Sequence, residues 1–483
     1  MNKRKTVNGF VWRLLERCAA QGVTFVTSII LARMLGPEAY GIIALMTVFT
    51  SVLQVFVDSG LGTALIQKKN ADDMDFSSVF WFNMGMCLIL YVLMYFAAPV
   101  ISGFYQMPDM TAYIRVLSLI LVVSGVKNIQ HAYVSRQLQF RTFFYASLGG
   151  TICSGIIAVI MAWRGLGVWA LIGQSLSNRL INTVILWFVV KWRPRLKFSW
   201  TRLKGLFPLG MNLLGAKLLD TVYQDLRTLL IGKIYSATSL GYYNKGKQFP
   251  HLIVNNVNVS IDSVLFPTLS QAQDSCEKLR AMTRRAISIS TYVMMPLMLG
   301  LAACGEPLIR LVLTEEWLPC VPFMRVFCIT YSFYPLATAN LNAIKALGRG
   351  DLFLKLEIAK KIVGVLAIVI TAPISIEAMV YSLLITTFIS QLINSYPNKK
   401  LLNYSYVEQI KDILPHFLIS GVMGLIVYSC CFLGLSDFVT LLIQIPLGIA
   451  IYVSASILLK IESFSYTLKI LKQLLKKKKR GEA

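Results

Sequence analysis

The sequence predicts an all-α, polytopic membrane protein of about 14 transmembrane helices, arranged as two six-helix bundles related by a pseudo-two-fold axis along the membrane normal, plus two C-terminal helices. Three observations lead there. Of 483 residues, 56% are hydrophobic and 14% charged, with a mean hydropathy of +0.64, outside the range of a soluble domain. Apolar runs follow one another from Phe10 to Leu459, each near the roughly 20 residues that cross a hydrocarbon core of about 30 Å. Two segments of the first half also recur in the second half at nearly one offset.

The crossings fall at about 9–35, 41–66, 78–101, 113–134, 143–163, 167–190, 206–233, 239–269, 286–313, 319–346, 356–374, 376–397, 413–433 and 436–459. The basic start, MNKRKTVNGF, leads into a first helix too long and too polar on one face for a cleavable signal. Alternate loops separate by charge. Lys3, Arg4 and Lys5, Lys68 and Lys69, Arg136 and Arg141, the segment Lys191 to Lys204, and Lys399 and Lys400 lie on one side. The opposite loops (GPEAYG, FYQMPDMT, TEEWLPC, GLSD) carry almost no Lys or Arg, apart from Arg164 and the group Lys233, Lys245, Lys247. By the positive-inside rule both termini are cytoplasmic. The net charge of +24 is therefore read as a topology signal, with no nucleic-acid partner. Nine cysteines without a CxxC pair indicate neither a disulfide framework nor a zinc site.

Shifting the chain by 200 residues lays LARMLGPEAYG (Leu31 to Gly41) on IGKIYSATSLG (Ile231 to Gly241). A shift of 204 lays VDSGLGTALIQ (Val57 to Gln67) on IDSVLFPTLSQ (Ile261 to Gln271), matching Asp58 to Asp262. Six crossings separate the copies, so both have the same orientation. The expected division is 1–190 for the first bundle, 191–205 for a basic cytoplasmic linker, 206–398 for the second bundle, 399–460 for helices 13 and 14, and 461–483 for a basic amphipathic tail on the cytoplasmic leaflet.

Charges inside the seventh crossing are costly, about 2.5–3.5 kcal/mol each on insertion scales. Lys217, Asp220, Thr221, Gln224, Asp225, Arg227 and Thr228 share one helical arc of about 160°. Under the 200-residue shift this arc lies on a stripe of the first helix, Arg13, Arg17, Gln21, Thr24 and Ser28. Two such stripes can line a cavity between bundles, with Lys127, Gln174, Asn178, Arg179, Asn182, Gln391 and Asn394 as further lining. A structural reading stands beside this one. Lys217 and Asp220 make an i, i+3 pair, Arg13 and Arg17 can snorkel, and Asn178, Asn182 and Asn394 can bridge helices. The candidate substrate-binding cations are Arg13, Arg17, Lys127, Arg179, Lys217 and Arg227, with Gln21, Thr24, Asn178, Gln224 and Gln391 as polar lining.

No catalytic constellation, nucleotide-binding motif or metal pair stands out, so no enzyme and no cofactor is expected. Transport is then passive or driven by an ion gradient, with Asp220, Asp225, Asp58 and Asp262 as carboxylates able to carry H⁺ or Na⁺. For Asp58 and Asp262 a helix-end cap is the alternative.

RMLGPEAYG (Arg33 to Gly41), DSGLGTALIQK (Asp58 to Lys68), LGYYNKGKQFP (Leu240 to Pro250), VLFPTLS (Val264 to Ser270) and NAIKALGR (Asn342 to Arg349) resemble the polysaccharide flippases of the multidrug/oligosaccharidyl-lipid/polysaccharide exporter superfamily, closest to the colanic-acid and teichuronic-acid exporter group. The resemblance implies a multi-pass protein of the bacterial inner membrane that moves an undecaprenyl-diphosphate-linked oligosaccharide to the periplasmic leaflet by alternating access through a cationic cavity. A coupling ion, and a polysaccharide polymerase with a chain-length regulator as working partners, belong to the same expectation. A drug or metabolite exporter of the superfamily and a membrane polysaccharide polymerase are the alternatives.

Overall fold

Helices occur where the apolar runs lie, because a backbone in hydrocarbon must satisfy its own N–H and C=O groups. The computed structural model describes residues 3–58, 61–68, 71–137, 140–273, 275–466 and 468–469, and among them there is no strand. The chain divides into two compact units, 1–241 and 242–483.

The first unit contains α1 (Lys3–Met34), α2 (Pro37–Asp58), α3 (Leu61–Gln67), α4 (Asp73–Tyr105), α5 (Met110–Leu117), α6 (Leu119–Arg136), α7 (Phe140–Trp163), α8 (Val168–Val189), α9 (Trp200–Lys204), α10 (Phe207–Ile234) and the start of α11 (Ala237–Ser270). The second unit continues α11 and adds α12 (Cys276–Ala303), α13 (Gly305–Val312), α14 (Val321–Ser332), α15 (Tyr334–Ala346), α16 (Gly350–Thr371), α17 (Ile376–Leu401), α18 (Tyr406–Ser429) and α19 (Asp437–Leu458). Each of the expected crossings lies mainly on helix, with single non-helical residues inside three of them at Ser118, Cys304 and Phe333 and others at several ends. Among the described residues nine helical segments are long and apolar enough to cross a bilayer. They do not include α8, α10, α11 or α16, and α1 contributes only the shorter apolar stretch Ala19–Met34. In α8 and α10, Arg179, Lys217, Asp220, Asp225 and Arg227 dilute the hydropathy.

Helix ends follow the local chemistry. The Asp72 side chain caps α4 by accepting from the Asp75 backbone N–H at 3.0 Å, and Asp75 accepts from Asp72 N at 3.2 Å. Ser405 and Glu408 make the same reciprocal box at the start of α18. Lys68, the last residue of the DSGLGTALIQK stretch, ties α3 to α4 by donating to both Asp75 oxygens at 2.8 Å.

The basic segment after α8 packs on α4. Trp192 is buried against Phe76, Phe80 and Tyr133. The Arg195 and Ser199 backbone N–H groups donate to Ser77 and Ser78 at 3.0 Å each, Trp81 donates to the Arg195 carbonyl, and Arg202 pairs with Asp72. The segment expected as a linker at 191–205 is thus part of the first unit's core and surface.

The second unit is held by a buried polar network. Asn340 donates to Gln409 Oε1 at 2.8 Å, Ser395 donates to the same oxygen at 2.9 Å, and Asn398 donates to Asn340 Oδ1 at 2.7 Å. All four residues are fully buried. Such bonds join α15, α17 and α18 where apolar packing alone has no preference over lipid.

Candidate functional site

The polar residues of the seventh crossing find their partners across a helix pair inside the first unit. α10 packs along α2, and the contacts run antiparallel. Lys217 meets Asp58 at 2.8 Å and Asp225 meets Ser51 at 2.9 Å. The bare Gly232 lies where a β-carbon would be 2.9 Å from Leu45. Just beyond α10, a β-carbon on Gly41 would be 1.7 Å from the Ala237 carbonyl oxygen.

Beside this pair lies a cavity of about 620 Å³. α2 supplies Thr47, Thr50, Ser51, Gln54 and Asp58, at spacings that keep them on one helical face. Thr47 and Thr50 satisfy their hydroxyl hydrogens on carbonyls of their own helix, leaving oxygen lone pairs toward the cavity. α7 contributes Thr151 and Ser154, both accepting from Asn178 of α8, at 3.3 and 3.2 Å. Gln174, Ser175 and Arg179 of α8, Thr24 of α1, and Lys217 and Thr221 of α10 complete the polar lining. Val55, Leu117 and Ile120 form its apolar part.

Asp58 ends α2, where the helix dipole disfavours a negative charge. Three donors offset that: Lys217 at 2.8 Å, Gln54 at 3.1 Å and Asn128 of α6 at 3.3 Å. The carboxylate therefore serves α10 and α6, and α3 begins three residues later at Leu61. Arg179 is exposed to the cavity, and among the described residues no carboxylate lies within ion-pairing distance of it. A guanidinium that faces a cavity with no described carboxylate beside it suits an external anion.

Of the expected site residues, the structure brings together Arg179, Lys217, Thr24, Asn178 and Asp58. Lys127 on α6 and Arg227 on α10 are half-buried and are not part of the described lining, nor is Gln21. Asp220 and Gln224 are exposed on α10 and bond to each other at 2.7 Å. The i, i+3 pairing of Lys217 with Asp220 gives way to Lys217 with Asp58, because α2 packs against that face of α10. Asp225 is engaged by Ser51. Gln391 is buried in the second unit, donating to the Phe333 carbonyl at 3.1 Å, so it belongs to a helix contact and not to this cavity. Asp262 accepts from Asn342 at 2.7 Å. The side chains of Arg13 and Arg17 lie outside the described residues.

Sequence reasoning missed Thr47, Ser51 and Gln54 on α2 and Thr151 and Ser154 on α7. Their spacing of three and four was legible, but hydroxyl residues are common in membrane helices as internal hydrogen-bond donors and do not stand out as charges do.

The repeat also recurs as chemistry. The 204-residue shift that relates Asp58 to Asp262 relates Gln54 to Asn258. In the first unit Asn128 donates to Asp58, and in the second Asn342 donates to Asp262 while Thr338 donates to Asn258 at 2.8 Å.

A family model described as a polysaccharide biosynthesis protein matches residues 30–322. Among curated proteins, the chain is 25% identical to the teichuronic acid biosynthesis protein TuaB of Bacillus subtilis, over 79% of each chain. It is 23% identical to the lipopolysaccharide biosynthesis protein WzxC of Escherichia coli, over 88% of each. The succinoglycan biosynthesis transport protein ExoT of Rhizobium meliloti is 23% identical over 72% of this chain and 71% of its own. Among solved structures, the lipid II flippase MurJ in an inward closed conformation superposes with a TM-score of 0.74, at 18% identity, covering 93% of this chain and 99% of that one. An inward-facing multidrug resistance transporter of the MATE family superposes with a TM-score of 0.62, at 12% identity, covering 81% and 98%.

Proposed function

Because the chain belongs to the polysaccharide biosynthesis protein family, we propose that it is a flippase carrying an undecaprenyl-diphosphate-linked oligosaccharide from the cytoplasmic to the periplasmic leaflet, for assembly of a cell-surface polysaccharide. The relatives named for teichuronic acid, lipopolysaccharide and succinoglycan support a polysaccharide cargo. The observation that carries the reading is Arg179 standing without a carboxylate partner among the described residues, in the same polar cavity as Lys217.

A guanidinium and an ammonium facing one cavity suit two phosphoryl groups, and the hydroxyls and amides of Thr47, Ser51, Gln54, Gln174 and Asn178 offer partners for sugar hydroxyls. On this reading Arg13 and Arg17 of α1 extend the cationic lining, and Lys127 and Arg227 act at its margins. The charge distribution of the loops supports an inner-membrane orientation with both termini cytoplasmic. Asp220, Asp225, Asp58 and Asp262 are the candidate carboxylates for a coupling H⁺ or Na⁺. A polymerase and chain-length regulator then receive the delivered unit on the periplasmic side.

The test is reconstitution of the full chain in proteoliposomes with a lipid-linked oligosaccharide on one leaflet, read by accessibility of the sugar to an impermeant oxidant or lectin on the other. Transfer that depends on the protein and falls in Arg179→Ala supports the reading. Transfer equal to empty vesicles, with uptake of a cationic dye instead, replaces it with drug export.

A further inference from the structure

Of the two cations in the described lining of the cavity, one is already occupied. Lys217 Nζ lies 2.8 Å from Asp58 Oδ2, with the lysine side chain 55% and the aspartate 37% exposed. Both line the cavity. We propose that Asp58 is the resident counter-ion of Lys217, which an anionic headgroup displaces on entering; the inference rests on the flippase reading above.

Asp58 does not need the lysine to keep its place. Gln54 and Asn128 hold the carboxylate from α2 and α6. The repeat supplies the comparison within this same chain: Asp262 accepts from Asn342 in the equivalent way, and among the described residues it has no cation within ion-pairing distance. The Asp–amide pair is thus common to both units.

Lys217 in turn reaches across from α10 and is open to water, so the pair is of the weak, solvent-screened kind that a competing anion can exchange. A diphosphate brings more negative charge and more acceptor oxygens than one carboxylate, and Arg179 offers it a first contact in the same cavity. Once Lys217 turns to the phosphate, Asp58 keeps its two amide donors and needs no new partner.

Two consequences follow. A neutral headgroup cannot open the pair, so Asp58 selects for anionic cargo. When the cargo leaves, the carboxylate recaptures Lys217, which lowers the affinity that two free cations would otherwise confer and helps release.

The experiment measures binding to the purified full-length protein in lipid nanodiscs, with inorganic pyrophosphate and undecaprenyl diphosphate as separate probes. Asp58→Asn keeps the amide contacts and frees Lys217, and pyrophosphate should bind about two- to five-fold tighter, the range an exposed ion pair contributes. Lys217→Ala should bind more weakly than wild type, and the double variant no tighter than wild type, because the freed cation is absent. Weaker or unchanged binding in Asp58→Asn, or a double variant as tight as Asp58→Asn, overturns the proposal. Thermal stability of each variant is recorded alongside, and Asp58→Ser replaces Asp58→Asn if the latter does not fold.

The two readings fail separately. If the pyrophosphate series behaves as stated but the lipid diphosphate does not bind, the counter-ion stands and the lipid-linked cargo falls. If the lipid binds wild type and Asp58→Asn weakens it, the cargo stands and the counter-ion falls.

Discussion

Gly41 and Gly241 occupy matching positions in the two copies of the repeat, and each packs its bare Cα against a backbone carbonyl next to the other. A β-carbon on Gly41 would fall 1.7 Å from the Ala237 oxygen, and one on Gly241 would fall 2.0 Å from the Pro37 oxygen. Pro37 and Ala237 are themselves mates under the 200-residue shift. The first turns of α2 and α11 therefore cross at reciprocal glycines.

Backbone oxygens cannot move aside as a flexible side chain does. Gly41→Ala and Gly241→Ala are each expected to lower stability by at least the about 1–3 kcal/mol typical of overpacking. Gly22, whose β-carbon would meet nothing within 4 Å, is the control. Gly22→Ala should be neutral or stabilising by up to about 1 kcal/mol through helix propensity. Thermal unfolding in detergent distinguishes the three, and equal melting of all of them would contradict the close crossing.

Arg179→Ala should reduce binding of the anionic headgroup about 10- to 100-fold, which corresponds to loss of a charged hydrogen-bonding partner at about 1.5–3 kcal/mol. Arg179→Lys should recover only part of this, since an ammonium lacks the planar fork of guanidinium donors. Surface polysaccharide in a complemented deletion strain, at matched protein levels, reports the outcome in cells. Normal polysaccharide with Arg179→Ala would remove Arg179 from the site.

Gln409 acts on a different property. It accepts from Asn340 and Ser395 while donating to Asn340 Oδ1 at 3.1 Å, all fully buried. Gln409→Ala takes the acceptor from the buried Ser395 hydroxyl and one partner from each polar atom of the Asn340 amide, which keeps its bonds to Leu336, Ser395 and Asn398, and a loss of about 1–3 kcal/mol is expected. The variant should melt earlier, yet its folded fraction should bind headgroup as wild type does. A selective binding defect at unchanged stability would show that this network reaches the site.

The docking of the basic segment on α4 should depend on pH through Asp72. The Arg202 guanidinium, followed by the Asp75 backbone N–H, holds the Asp72 carboxyl below its ordinary value. A group depressed in this way stabilises the folded state above its ordinary carboxylate range and loses that contribution as pH falls through the lowered value. Protection factors of the amides in residues 191–204, with exchange rates corrected for their intrinsic pH dependence, should thus be flat around neutrality and fall only in acid. Arg202→Ala should lower protection already at neutral pH and weaken its further fall in acid, and an unchanged profile would mean that the aromatic contacts of Trp192 suffice.

The sequence by itself determined the membrane class, the places of the crossings, the repeat and the polar face of α10, because run length, helical period and loop charge are local properties of a chain in lipid. Its motifs also pointed to the family. Only the tertiary structure decided which charges are paired. Lys217 has a carboxylate one turn away at Asp220, and nothing local says that it turns instead to Asp58, 159 residues distant. That choice depends on α10 packing antiparallel along α2, and the helix pairing is set by close approaches such as Gly232 to Leu45 and by the Ser51–Asp225 bond. Arg179 and Gln391 looked alike as polar residues within apolar helices. Packing turned one toward a cavity and buried the other against a carbonyl, since a helix's neighbours, not its own residues, decide whether a polar side chain meets water, ligand or backbone.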